Sequence, residues 1–372
     1  SARAAAIAMA STTSAMALYD FRSDTVTRPT AAMLQAMADA PTGDDVFGED
    51  PTVSRLEEET ASLLGAEAGL FVASGTMSNQ LALRTHVGPL DEVLCDHRAH
   101  IHTWEVGGIH ALCGASVAPA EPLAGREFLD AAAVRLHARL DHSLYHQPVT
   151  KLLALENTLN GAVAPLSLVT EAVVAARELG LGTHLDGARL FNAAAASGEP
   201  LDGYGALFDT VSVCLSKGLG APVGSVLCGS AARIDRARHW RKLYGGGWRQ
   251  AGVLAAAGLH ALDEHRERLA EDHDNAAELA RGLQELGFSV QPPQSNMVWC
   301  GAPDHMRVPF ETVCARLAAE ERILVGGAYT GPGGRNPWGE AGKSIRFVTH
   351  LQTPRAAVRA LLAGLAKHLR HV

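Results

Sequence analysis

The 372-residue sequence predicts an α/β protein: a large domain whose mostly parallel sheet is sandwiched by helices, with a smaller C-terminal α/β domain. Three observations lead there. Short apolar runs recur along the first two thirds of the chain, and several are continuous rather than alternating, as in strands buried on both faces. Helical segments separate them, and strands joined through helices build a parallel sheet covered by those helices. From about residue 263 the texture changes to a charged amphipathic helix followed by isolated strand-like runs.

Residues 1–18, SARAAAIAMASTTSAMAL, are rich in Ala, Ser and Thr, contain Arg3 and carry no acidic residue. That is the bias of an organellar transit peptide, and a flexible chain end reads equally well. Residues 19–38 read as an N-terminal arm in which Pro29 opens a short helix with Met33 and Met37 on one face. The large domain is expected over 39–262. Pro51 opens its first helix, with Val53, Leu56, Thr60, Leu63 and Leu64 on one face and Gly65 closing it. A strand through Leu70–Val72 meets Ser74-Gly75-Thr76, and Met77–Leu83 continues as helix. Further strands are expected at Glu92–Cys95, Leu152–Leu155, Thr183–Leu185, Thr210–Leu215 and Ser225–Cys228. A helix over Ser167–Leu179 lies between two of them, and Ala251–Leu262 reads as a buried helix. The small domain, 263–372, is expected to hold a helix over Glu264–Leu286 and strands at Asn296–Cys300 and Ser344–Val348.

Composition narrows the function. With 40 acidic against 32 basic residues and a net charge of −8, a nucleic-acid-binding surface is not expected. No window reaches the ~18–20 uninterrupted apolar residues that cross a bilayer, so no membrane partner is expected either. The six cysteines include no C-x-x-C pair, and four sit in apolar, strand-like runs. Buried thiols in a reducing compartment fit better than a disulfide framework. The compartment is then cytoplasmic, or organellar if residues 1–18 derive from a transit peptide.

In open parallel sheets ligands bind beyond the carboxyl ends of the strands, so the residues just after each strand matter most. Ser74-Gly75-Thr76 leads into a helix, whose first N–H groups can hold an anion; alone, such a Ser or Thr is usually only a cap. Asp186 ends one apolar strand and Lys217 another. Burying an ammonium is costly unless it is paired or deprotonated, and an amine in such a place can bond an aldehyde. An Asp beside it can keep a pyridine nitrogen protonated. Lysine, Asp and a phosphate-binding helix start together make a pyridoxal phosphate constellation. Asp96-His97-Arg98-Ala99-His100-Ile101-His102 lacks the spacing of a zinc set, and no metal is expected; stacking on a cofactor ring is a better use for one of these histidines. The loop Gly245-Gly246-Gly247-Trp248-Arg249, beside Arg241 and Lys242, would bring cations to a phosphate.

Ordered motifs make the resemblance specific. FRSDTVTRPT (21–30), GDDVFGEDPTV (43–53), SGTMSNQ (74–80), RAHIHTWEVGG (98–108), LLALENTLNG (152–161), HLDGARLFN (184–192), CLSKGLGAPVGS (214–225) and RFVTH (346–350) follow one another as they do in the L-threonine aldolases. The chain from Tyr19 onward resembles that family, low-specificity and L-allo-threonine aldolases of the β-eliminating lyase group, on the fold-type I scaffold of pyridoxal phosphate enzymes. The resemblance implies that Lys217 bonds the cofactor, that Asp186 pairs with the pyridine nitrogen and that His100 stacks on the ring. Gly75 and Thr76 would hold the phosphate through backbone groups. Ser23, Arg189 and Arg346 would hold the substrate carboxylate, where a guanidinium can bind in two-pronged fashion. It further implies a homotetramer, a dimer of dimers, in which Lys242 and Arg249 reach a neighbour's phosphate, and places His146 near the substrate β-hydroxyl. Two positions depart from the family pattern. Phe47 stands where many relatives have Tyr, and Trp248 where Met is usual before Arg249.

The implied reaction is cleavage of L-threonine and L-allo-threonine, and of other β-hydroxy-α-amino acids, to glycine and an aldehyde. Low specificity with a preference for the allo isomer is expected, since discrimination on a methyl group is worth only about 1–3 kcal/mol. The base at the β-hydroxyl is His100, His146 or a water they orient. An alanine racemase or β-eliminating lyase could use the same scaffold. A nucleotide-dependent dehydrogenase is disfavoured, because Gly218-Leu219-Gly220-Ala221-Pro222-Val223-Gly224 has the wrong spacing for a dinucleotide loop.

Overall fold

Seven strands form the sheet around which the larger unit is built: β1 (Ala68–Val72), β2 (Asp91–Asp96), β3 (Ser116–Ala120), β4 (Val149–Glu156), β5 (Gly182–Gly187), β6 (Thr210–Cys214) and β7 (Ser225–Gly229). The computed structural model describes residues 19–304, 306–326, 328–329 and 344–370. The stretch 1–18, read as a leader or chain end, lies outside them. The strand order is β1-β7-β6-β5-β4-β2-β3, and all strands run parallel except β7, which is antiparallel to both neighbours. Between β6 and β7 there is no crossover helix, only residues 215–224, and an antiparallel step can be made by so short a connection.

Burial on both faces explains the apolar runs. In β2, Val93 and Cys95 pack into one cluster with Leu83, Ile101, Ile109 and Leu152, while Leu94 between them packs on the other face with Leu153, Val134, Ala172 and Ala176. Each such buried aliphatic side chain contributes about 1.5–3 kcal/mol. The edge strand β3, sequence SVAPA, was not anticipated. It has one β-branched residue, and Pro119 is tolerated because, among the described residues, β3 pairs only with β2.

The helices begin at side-chain caps. α1 (Ala31–Ala38) starts after Thr30, whose hydroxyl accepts from the Met33 N–H at 3.2 Å, so Pro29 stands outside the helix it was expected to open. In α2 (Pro51–Leu63) Asp50 caps Thr52 and Val53. α3 (Gly75–His86) starts behind Ser74, α4 (Leu166–Glu178) crosses between β4 and β5, and α5 (Ala231–Leu243) follows β7. The helix expected over 264–286 is two pieces. Residues 261–265 finish α6 (Gly252–His260) as a π-turn, where His265 is buried and donates from Nδ1 to the Leu219 carbonyl at 2.7 Å; α7 (Leu269–Glu285) begins afresh.

The chain divides into two compact units, Pro29–Glu267 and a second made from both ends, up to Arg28 and from Arg268. In the second, β8 (Met297–Gly301) and β9 (Ser344–Val348) pair antiparallel, flanked by Ser289–Val290 and Ala328–Tyr329. Phe21 is fully buried there among Leu279, Leu283, Val298, Phe310 and Phe347, and Tyr19–Asp20 pairs parallel with Ile323–Leu324. α8 (Arg355–Arg370) buries Val358, Leu361 and Leu365 in the same core. Among the described residues no helix is long and apolar enough to cross a membrane.

Candidate active site

The carboxyl ends of the parallel strands gather the chemistry of the larger unit. Asp186, near the end of β5, is in register with Glu156 at the end of β4 and with Ser212 in β6. Residues in register on neighbouring parallel strands point to the same face, so the three side chains form a row. Asp186 is buried, as is the Ser212 hydroxyl, which has no hydrogen-bond partner among the described residues. Lys217 follows β6 by three residues, half-buried in a loop closed by the Gly220 N–H to the Lys217 carbonyl at 2.9 Å and the Ala221 N–H to the Leu215 carbonyl at 3.1 Å.

A hydrogen-bond chain runs to Asp186 from behind. Asn79 Nδ2 donates to Asp186 Oδ2 at 2.7 Å and to Glu105 Oε1 at 2.9 Å. Its Oδ1 must therefore accept, and it faces His184 Nε2 at 3.1 Å. That makes Nε2 the protonated nitrogen of His184, so Nδ1 accepts from the Thr210 hydroxyl at 2.9 Å. The Thr210 proton being used, His86 Nε2 donates to the same oxygen at 3.0 Å. The histidine pKa values agree: burial pushes His184 down to about 4 and, with the nearby Arg233, His86 well below its ordinary value. Both stay neutral, and every donor in the chain points toward the carboxylates.

Glu105 is a second focus. Its side chain is fully buried and accepts from Asn79, from Gln80 Nε2 at 2.5 Å and from His100 Nδ1 at 2.9 Å. The His100 backbone N–H donates to Glu156 Oε2 at 2.7 Å. Desolvation and the Asp186 charge push Glu156 up to about 8, against the opposing pull of His100 and Lys217. Desolvation pulls His100 down, yet the Glu105 hydrogen bond and the charges of Asp186 and Glu156 outweigh it and raise its pKa. His100, Glu105 and Asp186 place three donor atoms within 4.8 Å of one another, but those of Glu105 and Asp186 already accept hydrogen bonds. Glu320, Glu321 and His368 make a similar group elsewhere, with Lys367 bonded to both glutamates.

The anion end lies at the start of α3. Ser74 Oγ accepts from the Met77 N–H at 3.1 Å, while the N–H groups of Gly75 and Thr76 have no acceptor within the helix. A Cβ on Gly75 would stand 2.8 Å from Cys214 Sγ, and one on Gly246 would stand 2.7 Å from Met77 Cε. The Gly-rich loop is thus seated on the helix start. A pyridoxal phosphate fits these residues: an amine, an acceptor carboxylate for a ring N–H, a half-exposed imidazole and bare helix N–H groups all stand at one edge of the sheet.

The sequence model of the beta-eliminating lyase family matches residues 20–302. The chain belongs to that family. It is 42% identical over 354 residues to the low specificity L-threonine aldolase of Escherichia coli K12, covering 95% of this chain and 98% of that one. It is 44% identical over 279 residues to the corresponding Saccharomyces cerevisiae enzyme, 74% of this chain and 72% of that one. A Leishmania major threonine aldolase structure superposes with a TM-score of 0.76 at 23% identity, covering 94% of this chain and 99% of that one. Sphingomonas wittichii serine palmitoyltransferase gives 0.70 at 18%, covering 95% and 87%. These likenesses establish the fold-type I architecture of pyridoxal phosphate enzymes.

The other expected residues of the chain are spread out. Arg189 precedes the helix Leu190–Ser197, at the end of a turn in which the Ala188 N–H donates to Asp186 Oδ1 at 3.1 Å. Lys242 and Arg249 are exposed, and Arg249 pairs with Asp44 at 2.9 Å. Arg241 is different: buried, it is committed to Asp45 at 2.7 Å and to the Phe71 carbonyl at 2.8 Å. His146 lies on an exposed turn, stacked on Tyr145. Phe47 is 74% exposed, and Trp248 packs on Phe71 at 5.2 Å. In the other unit Ser23 caps the short turn Asp24–Val26, and Arg346 of β9 lies over the Trp299 ring and donates to the Arg22 carbonyl at 3.2 Å. Asn79, Glu105, Glu156 and His184 were not singled out from sequence. The available signal was the charge of Glu105 and Glu156 inside otherwise apolar surroundings.

Proposed function

We propose that the chain cleaves L-threonine and L-allo-threonine, and other β-hydroxy-α-amino acids, to glycine and the corresponding aldehyde, with pyridoxal 5'-phosphate as cofactor. The observation that carries this is Asp186, a buried carboxylate fed by a chain of neutral donors, on the strand next to the one that leads to Lys217. When bound, the cofactor supplies a protonated pyridine that takes up the electron pair released as the Cα–Cβ bond breaks. Lys217 would hold its aldehyde carbon until the substrate amine takes that place, Asp186 would keep its ring nitrogen protonated, His100 would cover its ring, and Gly75 and Thr76 would receive its phosphate. Ser23, Arg189 and Arg346 hold the substrate carboxylate. His100, His146 or a water they orient removes the β-hydroxyl proton; the aldehyde departs and Cα regains a proton to give glycine.

The assembly we propose is a homotetramer, a dimer of dimers with shared sites. Exposed apolar side chains support it, among them Phe47, Leu144, Tyr145 and Leu243. So does the exposure of His146, Lys242 and Arg249, which suits residues that act on a neighbour's site. The Arg249–Asp44 pair is a surface pair, worth about 0–1 kcal/mol, and can yield to a phosphate. Six unpaired cysteines, five of them buried, suit a reducing compartment, cytoplasmic or organellar.

The test is aldehyde release from the purified protein given L-threonine, L-allo-threonine and D-threonine separately. Aldehyde is expected from both L isomers, faster from the allo form, and none from the D isomer. Alanine racemisation or loss of a β-substituent without any aldehyde would overturn the reading in favour of the other chemistries of this scaffold.

A further inference from the structure

Glu105 can only accept hydrogen bonds when ionised, and all its partners are donors. Oε1 receives Asn79 Nδ2 and His100 Nδ1, each at 2.9 Å, and Oε2 receives Gln80 Nε2 at 2.5 Å. Both oxygens already accept amide N–H groups, which can only donate, so the fully buried carboxyl is bonded as an acceptor throughout. The nitrogen of His100 that meets it must then carry a proton. The neutral ring is forced into the Nδ1–H form, leaving Nε2 as the atom that gains and loses a proton, on a side chain that keeps 39% of its surface accessible. Asn79 spends one proton on Glu105 and the other on Asp186, so a single amide is clamped between the residue that orients His100 and the carboxylate assigned to the cofactor ring.

We propose that Glu105 is a positioning residue for His100: it fixes the Nδ1–H tautomer so that Nε2 is the proton-exchanging nitrogen, and through the Asn79 amide it holds His100 and Asp186 in one rigid group. This rests on the aldolase reading for its purpose, but the tautomer stands on geometry alone. The titratable groups facing His100 are Glu105 from its own segment, Asp186 from β5 and Glu156 from β4. Of these only Glu105 touches the ring. The other two act through space.

Solid-state 15N NMR of the full-length holoenzyme labelled at histidine reads this directly, with a His100→Asn spectrum identifying the signal. Above its transition His100 is expected to show a protonated Nδ1 and a bare Nε2, the reverse of the commoner free imidazole form. In the near-isosteric Glu105→Gln variant the His100 transition is expected to fall by about one pH unit, with the acid limb of kcat/KM moving the same way. An Nε2–H ring in the unsubstituted enzyme overturns the proposal without any variant having to fold. A His100 transition that stays in place in folded E105Q overturns it too. Aldehyde release separates the two readings: aldehyde with an Nε2–H ring sinks the positioning role alone, whereas no aldehyde with an Nδ1–H ring sinks the reaction and leaves the tautomer standing.

Discussion

Two carboxylates in register on neighbouring buried strands repel unless one takes a proton, and the surroundings decide which. Asp186 has the Asn79 amide and the Ala188 N–H, whereas Glu156 has one backbone N–H and the Asp186 charge, so Glu156 is the one pushed up to about 8. At neutral pH Glu156 therefore holds a proton, and the row offers Asp186 as the acceptor for a ring N–H. Asp186→Asn replaces that carboxylate by a neutral amide. Aldehyde release is expected to fall by about 10²–10³-fold, the usual cost of losing a preorganised electrostatic partner. The protonated carboxyl signal of Glu156 in the infrared at pH 7 should weaken as well. Unchanged turnover would show that Asp186 does not serve the reacting centre. For Lys217 the check is attachment: in Lys217→Ala, borohydride reduction should leave no cofactor bonded to the chain, while the unsubstituted protein retains it.

At the scale of elements, the start of α3 and the end of β6 are built against each other. Gly75 is required less by its own backbone than by Cys214, whose Sγ would stand 2.8 Å from an added Cβ. Gly75→Ala should therefore cost about 1–3 kcal/mol, read as a lower urea midpoint, and weaken cofactor retention by displacing the helix N–H groups. The double variant Gly75→Ala/Cys214→Ala should lose less than the sum of the two single changes, because removing Sγ makes room for the methyl. Strict additivity would place the strain elsewhere. This pairing also marks what sequence can convey. Asp186 and Lys217 were legible because each ends an apolar run where a charge is out of place. Ser74-Gly75-Thr76 was legible because caps and helix starts are local patterns. Glu105 was not, since its meaning depends on Asn79 and Gln80, brought to it by an intervening helix and strand. Nor was β3, whose Pro119 and alanines read as strand only once an edge position is granted.

For the molecule as a whole, the buried neutral histidines set how stability responds to acid. His184 is fully buried with both ring nitrogens engaged, and its pKa stands at about 4 against an ordinary value of 6.5. In the smaller unit His273 is pushed down to about 4 by burial as well. Between these two values the unfolded chain has taken up a proton at each site and the folded chain has not. The unfolded state then binds more protons, so stability rises with pH across this window and is lost as pH falls through it. For His184 the span amounts to about 3 kcal/mol. Glu156, raised to about 8, gains its proton in the folded chain first and opposes this slope, so the His184 contribution is read as the difference between the urea-midpoint curves of the unsubstituted and His184→Gln proteins from pH 7 to 4. His184→Gln cannot be protonated and keeps an amide to face Asn79 and Thr210. Its curve should start lower at pH 7 and converge with that of the unsubstituted protein near pH 4. Parallel curves would mean that His184 ionises alike in both states, and that the donor chain ending at Asp186 does not hold it neutral.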